Sequence, residues 1–233
     1  MNCIITGATK GMGRAAAKIF AEKGFNLALV ARNSRDLEDY KQELEGRSAG
    51  IRVLTFPTDL SEKEKVLGLS ELIKTHWEEV DVLINNAGIF IQGEMLTEED
   101  GVLENMMNVN LYSAFHLTRA IAPMMVERGQ GHIFNLGSVA SLKAYVDSGS
   151  YTITKFAILG FTRCLRLELQ NKGVKVTAVL PGSTYTASWE GVDIESERLI
   201  DPEEVAKMIW NAYDTGPTVC IEEILMRPMR GDL

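Results

Sequence analysis

The sequence predicts an α/β fold in which a doubly wound parallel seven-stranded sheet has helices on both faces. Short apolar runs alternate with segments of helical periodicity along the whole chain. The runs are continuous rather than alternating, which is typical of strands buried on both faces of a parallel sheet. The predicted strands cover residues 2–6, 26–31, 51–56, 80–85, 132–137, 174–180 and 219–225.

Composition fits one domain over residues 1–233, because no linker rich in Pro, Gly or Ser divides the chain. A hydrophobic content of 45% is enough for a large core, and a net charge of -8 argues against nucleic acid or an anionic membrane as a partner. With no basic leader and no apolar stretch near about 18 residues, we expect a cytoplasmic protein without a membrane span.

The three cysteines form no CxxC pair and the three histidines lie far apart, so neither a disulfide framework nor a metal site is predicted. Cys3 and Cys220 fall in predicted buried strands, where a free cysteine behaves as a small hydrophobe.

The first predicted strand leads into a glycine-rich turn at residues 7–13, GATKGMG, which opens a helix. Backbone amides and the helix dipole at such a turn favour a diphosphate, and glycines allow it to approach the main chain. The spacing G-x-x-x-G-x-G differs from the commonest dinucleotide pattern and from a Walker A loop. The residues assigned here to dinucleotide binding are Gly7, Thr9, Lys10, Gly11, Met12 and Gly13.

The second predicted strand is followed by Arg32, with no acidic residue until Asp36. In dinucleotide folds an acid at this point binds the adenosine ribose, whereas an arginine accommodates a 2′-phosphate. Lys10 is either a second cation for that phosphate or an ordinary solvated lysine, and both interpretations stay open. The pattern favours NADP(H) over NAD(H).

Polar and small residues follow three further predicted strands. Asp59 contacts an adenine amino group, caps the helix that starts near residue 61, or does both. Residues 85–88, NNAG, allow close passage of a ribose or are ordinary turn residues. Right-handed crossovers bring the ends of the first, fourth, fifth and sixth strands to one edge, where ligands bind. The cofactor residues assigned here are Asp59, Leu60, Asn86, Ala87, Gly88, Pro181, Gly182 and Thr184.

Tyr151 and Lys155 are four residues apart in a predicted helix over residues 150–171, so the phenol and the ammonium share one face. A cation beside a phenol favours phenolate, which predicts a lowered pKa for Tyr151. Ser138 ends the fifth predicted strand. A Tyr–Lys pair alone is also common on solvated helix faces, so its context decides its meaning.

Together these residues resemble the single-domain branch of the short-chain dehydrogenase/reductase family. The resemblance spans nearly the whole chain and implies a Rossmann-type sheet, a nicotinamide cofactor, and assembly as a homotetramer or homodimer. The residues that match in order and spacing are Thr6-Gly7-x-x-x-Gly11-x-Gly13, Asn85-Asn86-Ala87-Gly88, Asn110, Ser138, Tyr151-x-x-x-Lys155 and Pro181-Gly182. The implied catalytic set is Asn110, Ser138, Tyr151 and Lys155, of which Tyr151 and Lys155 also bind the cofactor.

These residues predict reversible reduction of a ketone to a secondary alcohol by NADPH. Ser138 and Tyr151 donate to the carbonyl oxygen as hydride transfer makes it negative, and Tyr151 is the general acid. Lys155 lowers the tyrosine pKa and binds the nicotinamide ribose. Asn110, which the family pattern selects over Asn108, holds a water between Lys155 and solvent. No metal is required.

Two other functions stay open at this stage: an NAD-dependent alcohol dehydrogenase, or a non-catalytic nucleotide-binding scaffold. A scaffold is expected to have lost the tyrosine or the lysine, and this chain retains both.

The substrate is a small molecule whose identity the residues leave open among an apolar ketone, a pterin and a 3-oxoacyl thioester. Residues 183–200 are predicted to form a short flap over it, before a helix that starts near residue 201. Tyr185 and Trp189 either wall the pocket or only pack the flap. Tyr145 and Val146 also border the pocket. Met226 and Met229, which follow the last predicted strand, either join subunits or close the sheet edge.

Overall fold

The computed structural model describes residues 1–186 and 195–231, and its centre is a parallel sheet of seven strands. The strands lie in the order β3-β2-β1-β4-β5-β6-β7, and every pairing is parallel. The predicted doubly wound, Rossmann-type sheet is confirmed. The strands are β1 (Asn2–Thr6), β2 (Asn26–Ala31), β3 (Val53–Pro57), β4 (Val82–Asn85), β5 (Gly131–Leu136), β6 (Val174–Pro181) and β7 (Glu223–Met226).

Helices follow the strands on both faces of the sheet. They are α1 (Gly11–Glu22), α2 (Ser34–Arg47), α3 (Lys63–His76), α4 (Val102–Met107), α5 (Ser113–Arg128), α6 (Gly149–Leu169) and α7 (Pro202–Tyr213). A π-helical stretch, Asn108–Tyr112, joins α4 to α5. The helix predicted near residue 201 is present. Asp201 is its N-cap residue, and Pro202 is the first residue of the helix. No described helix is long and apolar enough to cross a membrane.

Two hydrophobic cores lie on opposite faces of the sheet. Successive residues of a strand point to opposite faces, so in β1 the side chain of Ile4 joins one core, and those of Cys3 and Ile5 join the other. Helices α1, α2 and α7 cover the core that contains Cys3, whereas α3 and α5 cover the other. This double burial explains why the strands read as uninterrupted apolar runs.

The last strand is shorter than predicted, and the burial expected for Cys220 is wrong. Strand β7 starts at Glu223 rather than at residue 219, and Cys220 is exposed outside it. The Thr177 hydroxyl donates to the carbonyl of Ile221 (2.5 Å). The chain just before β7 is therefore bonded to β6 through the Thr177 side chain. Cys3 is buried in β1 as expected.

The order of the strands places β1, β4, β5 and β6 side by side. Their carboxyl ends form one edge, as the crossover rule predicts, and the polar residues singled out in the sequence lie at it.

Candidate active site

The glycine turn after β1 has a shape that only glycine allows. Gly7 and Gly11 have positive φ angles of 64° and 51°. A Cβ atom on Gly7 would lie 2.8 Å from the Asn86 Nδ2 atom. One on Gly13 would overlap the Gly7 carbonyl oxygen and the same Asn86 amide. The bare backbone at the start of α1 therefore fits a diphosphate, which needs close approach to amides.

Thr6 and Asn86 tie this turn to the loop after β4. The Thr6 hydroxyl oxygen accepts from the backbone amides of Asn86 and Ala87, both at 3.0 Å. The Asn86 side-chain amide donates back to the carbonyls of Thr6 (2.9 Å) and Gly7 (3.1 Å). The sequence marked Thr6 only as part of a motif, and this bracing role was not predicted.

A cavity of about 540 Å³ lies beside the glycine turn. Thr9, Lys10 and Gly11 line it, together with Arg14, whose guanidinium lies 3.8 Å from the Tyr40 ring centroid and pairs with Glu43. The sequence did not predict this place for Arg14. Lys10 is exposed at the edge of the cavity, so its position suits an anionic ligand.

Arg32 and Asp59 follow the neighbouring strands β2 and β3 at the outer part of this edge. Hydrogen bonds from the Ser61 backbone and hydroxyl lower the pKa of Asp59, and Lys65 and Arg32 lower it further. Helix α3 begins at Lys63, so Asp59 does not cap it as expected. Its carboxylate instead accepts from the Ser61 amide (3.0 Å) and hydroxyl (2.8 Å) in a local turn. Leu60 is buried beside it.

Asn110 lies in the π-helical stretch and is 3% exposed. Its side-chain oxygen accepts from the Ile89 amide (2.8 Å), and its amide donates to the Ile89 carbonyl (3.0 Å) and to the Thr154 hydroxyl (2.9 Å). A Cβ on Gly88 would lie 3.3 Å from Asn110 Oδ1 and 3.7 Å from Lys155 Nζ. A π-helical turn is often found at functional sites, and sequence periodicity did not reveal this one.

Ser138 follows β5 and begins a short 3₁₀ turn. Its hydroxyl oxygen accepts from the Ala140 amide (3.1 Å), and the Ser141 hydroxyl accepts from the Ser138 amide (3.2 Å). This capping box fixes the hydroxyl in place. The Ser138 side chain is close enough to Tyr151 to lower the pKa of that phenol.

Lys155 lies one helical turn after Tyr151 and is 5% exposed. Its ammonium donates to the Leu136 carbonyl (3.0 Å) and lies 5.5 Å from the centroid of the Tyr151 ring. Burial lowers the pKa of Lys155 to about 8. Ser138, Tyr151 and Lys155 thus meet beyond the end of β5, as predicted.

The expected lowering of the Tyr151 pKa is wrong for the protein without cofactor. Burial raises that pKa to about 12, although the nearby Ser138 side chain acts in the opposite direction. The ammonium of Lys155 lies over the ring, 5.5 Å from its centroid, and burial lowers the pKa of this ammonium as well. Desolvation of the phenolate therefore outweighs the neighbouring cation.

Phe90 packs against Tyr151, and this contact was not predicted. Its ring meets that of Tyr151 edge-to-face at 4.9 Å and is still 44% exposed. The signal was an apolar run, Ile89-Phe90-Ile91, directly after the NNAG turn. Val146, which the sequence placed at the pocket, is 88% exposed, and Tyr145 lies under the Lys143 ammonium at 4.8 Å.

The chain after β6 runs toward the glycine turn. Strand β6 ends at Pro181. The Gly182 amide then donates to the Met226 carbonyl (2.8 Å), and the Thr184 hydroxyl donates to the Gly182 carbonyl (2.9 Å). A Cβ on Gly11 would lie 3.0 Å from Thr186 Cγ2. Residues 187–194 of the expected flap, with Trp189, lie outside the described residues.

The model of the family described as short chain dehydrogenase matches residues 2–196. The chain belongs to this family. It is an oxidoreductase of the short-chain dehydrogenase type, as the motifs predicted.

The alignments of this short-chain dehydrogenase with three similar proteins span nearly the whole length of both chains. Sepiapterin reductase from Chlorobaculum tepidum is 38% identical, with 99% of this chain and 97% of that protein covered. A solved alcohol dehydrogenase from the archaeon Thermococcus sibiricus, complexed with 5-hydroxy-NADP, has a TM-score of 0.92 at 26% identity over 100% of this chain and 98% of its own. A solved serine dehydrogenase complexed with NADP+ has a TM-score of 0.90 at 27% identity, with 100% of this chain and 97% of that protein covered.

Proposed function

We propose that this short-chain dehydrogenase is an NADPH-dependent carbonyl reductase that forms a secondary alcohol reversibly. The observation that carries the proposal is the meeting of Ser138, Tyr151 and Lys155 at the carboxyl end of β5. The glycine turn after β1 lies at the same sheet edge and has room for a diphosphate.

Two features support NADP(H) as the cofactor. Arg32 stands where a 2′-phosphate would lie, and the exposed Lys10 borders the cavity at the glycine turn. NADP or a derivative of it is bound in the two solved relatives described above. The cofactor would be held by residues 7–13, Arg32, residues 59–60, residues 86–88 and residues 181–184.

Bound NADPH supplies the hydride for the carbonyl carbon. Ser138 and Tyr151 donate hydrogen bonds to the carbonyl oxygen, where negative charge develops. With a pKa near 12 the phenol is fully protonated at neutral pH, which is the form that a proton donor for reduction requires. Lys155 is charged below a pH of about 8 and stabilises the tyrosinate left after proton transfer. Asn110 holds a water that links Lys155 to solvent, and by this route the tyrosinate regains its proton.

The substrate of the C. tepidum relative supports one choice among the substrate classes that the sequence left open. Its name specifies a reductase of sepiapterin, a pterin that carries a side-chain ketone. Phe90, exposed beside Tyr151, offers an aromatic face to a flat ring. A pterin ketone is therefore the first substrate to test.

The test is a comparison of carbonyl substrates with NADPH and with NADH, followed through the absorbance of the reduced cofactor. Sepiapterin, a small aliphatic ketone and a 3-oxoacyl thioester represent the three classes. We expect turnover with at least one of them and a clear preference for NADPH. Equal rates with NADH would favour the NAD-dependent alternative, and cofactor binding without any turnover would favour a scaffold.

A further inference from the structure

The loop after β4 is attached to the start of the helix that carries Tyr151. The Gly93 amide donates to the Asp147 carbonyl (2.9 Å), and Gly93 forms an isolated parallel bridge with Ser148. Five residues further on, the Ser150 hydroxyl donates to the Glu98 carboxylate. Residues 93–98, which we call the tether, thus contact residues 147–150 at several points.

The backbone at this junction has little freedom to adjust. Asp147 has a φ of 53°, and it is the only residue other than glycine with a positive φ in the described parts of the chain. A Cβ on Gly149 would overlap the side chain of Met95. Asp is one of the residues that adopt this conformation most readily, and here its carbonyl is also bonded by the Gly93 amide of the tether.

Glu98 supplies a charge that α6 itself lacks. The N-cap residue Ser148 makes no side-chain hydrogen bond to the helix, and the first turn contains no acidic residue. A carboxylate near the N-terminus of a helix is favoured by the helix dipole. Glu98 reaches this place from 52 residues earlier in the chain, through Ser150, which is 3% exposed.

The two ends of the catalytic segment are fixed by different parts of the fold. Lys155 is bound to Leu136 of β5 (3.0 Å), and Thr154 to Asn110 (2.9 Å). Tyr151 follows Ser150 directly, so its turn of helix is held from the other side by the tether. Phe90, in the same loop as the tether, also packs on the Tyr151 ring at 4.9 Å.

We propose that Glu98 is a positioning residue, which fixes the Tyr151 phenol against Ser138 by binding the Ser150 hydroxyl. The effect on turnover rests on the proposed carbonyl reductase function, whereas the tether contact itself does not. Misplacing a reacting group by about 1 Å can reduce a rate on the order of 100-fold, so the tether need not touch the substrate to matter.

The test is a double-mutant cycle with Glu98→Ala, Ser150→Ala and the combined variant. Glu98→Gln keeps a side-chain oxygen that accepts from Ser150, and Glu99→Ala removes a neighbouring exposed carboxylate as the matched control. Each variant is measured for kcat, KM and the NADPH dissociation constant. Amide hydrogen exchange over residues 147–152, read by mass spectrometry, follows the helix start without relying on turnover.

We expect Glu98→Ala and Ser150→Ala each to lower kcat about 10- to 100-fold, with no further loss in the double variant and an unchanged NADPH dissociation constant. Glu98→Gln should recover most of kcat, and Glu99→Ala should match the wild type. Exchange over residues 147–152 should become faster only in the variants that remove the contact between Glu98 and Ser150. If Glu98→Ala folds poorly, Ser150→Ala, which removes one hydroxyl oxygen, decides the outcome.

Wild-type kcat in Ser150→Ala, or additive losses in the double variant, would overturn the positioning role. Unchanged exchange in both single variants would overturn the tether itself. A wild-type protein that turns over no carbonyl would contradict the proposed function instead, and the exchange measurement would still test the contact.

Discussion

At the scale of single residues, the site is governed by burial as much as by charge. Tyr151 and Lys155 share one helix face, as their spacing predicts. Burial raises the pKa of Tyr151 and lowers that of Lys155, so it favours the neutral form of both side chains. Spacing on a helix is visible in a sequence, whereas the depth of a side chain depends on every element packed around it. The shared helix face of Tyr151 and Lys155 was therefore predictable and the pKa of Tyr151 was not.

The lowered pKa of Lys155 predicts a dependence of stability on pH. Its pKa falls from 10.5 to about 8 on folding, so between these values the unfolded chain binds a proton that the folded chain has lost. The unfolding free energy of the wild type should therefore rise relative to Lys155→Met as the pH increases from about 8 to about 10.5, on the order of 3 kcal/mol in total. Urea unfolding of both cofactor-free proteins across this range measures the difference, and parallel pH curves would show that Lys155 is not desolvated.

Arg32 is expected to set the choice of cofactor. Replacing it by Asp removes a cation from the 2′-phosphate and adds a repelling charge, so the KM for NADPH should rise about 10- to 100-fold, with far less change for NADH. Arg52→Asp is the control, because Arg52 precedes β3 at the amino ends of the strands, away from the edge where the cofactor would bind. This variant should leave the KM values for NADPH and NADH unchanged. Equal effects of Arg32→Asp on the two cofactors would remove the phosphate contact from the proposal.

At the scale of elements, the sequence predicts best where a strand is buried and least where it lies at an edge. The limits of β1 and β2 match the prediction and those of β5 and β6 differ from it by one residue, although β4, also inside the sheet, starts two residues later than predicted. Strand β7 pairs only with β6, so its apolar run does not determine where pairing starts. The π-helical turn at Asn110 has no apolar pattern of its own and could be found only in three dimensions.

The bond network between the glycine turn and the loop after β4 predicts a specific loss. Thr6→Val removes the oxygen that accepts from two backbone amides, at Asn86 and Ala87. We expect the unfolding free energy to fall by about 1–3 kcal/mol and NADPH binding to weaken, since the Ala87 amide would lose its acceptor, whereas the Asn86 amide also donates to the Ile84 carbonyl (3.1 Å). Thr55→Val on β3 is the control for the loss of a strand hydroxyl. Similar unfolding curves for the two variants would argue against the bracing role.

At the scale of the whole molecule, one sheet runs from β3 to β7 with a core on each face, and we expect residues 1–233 to unfold as one cooperative unit. Assembly as a homotetramer or homodimer follows only from the family resemblance. The outer side of α6 is suited to it, because Ile153, Phe156 and Leu167 are exposed there.

The oligomeric state can be tested through that face. Phe156→Glu places a charge among the exposed apolar residues of α6 and should yield a smaller species by light scattering. Leu72→Glu makes a comparable change on α3, where Leu72 is 55% exposed, and should leave the mass unchanged. A wild-type monomer, or an intact oligomer in Phe156→Glu, would show that α6 does not join subunits.

The central claim is that Tyr151 donates the proton to the reduced carbonyl, and Tyr151→Phe tests it most directly because it removes only the hydroxyl. The measurement is single-turnover reduction with NADPH, beside NADPH binding by fluorescence. We expect the rate to fall on the order of 100-fold or more while the NADPH dissociation constant stays near that of the wild type. Turnover at the wild-type rate in Tyr151→Phe, with NADPH bound as tightly as before, would contradict the account.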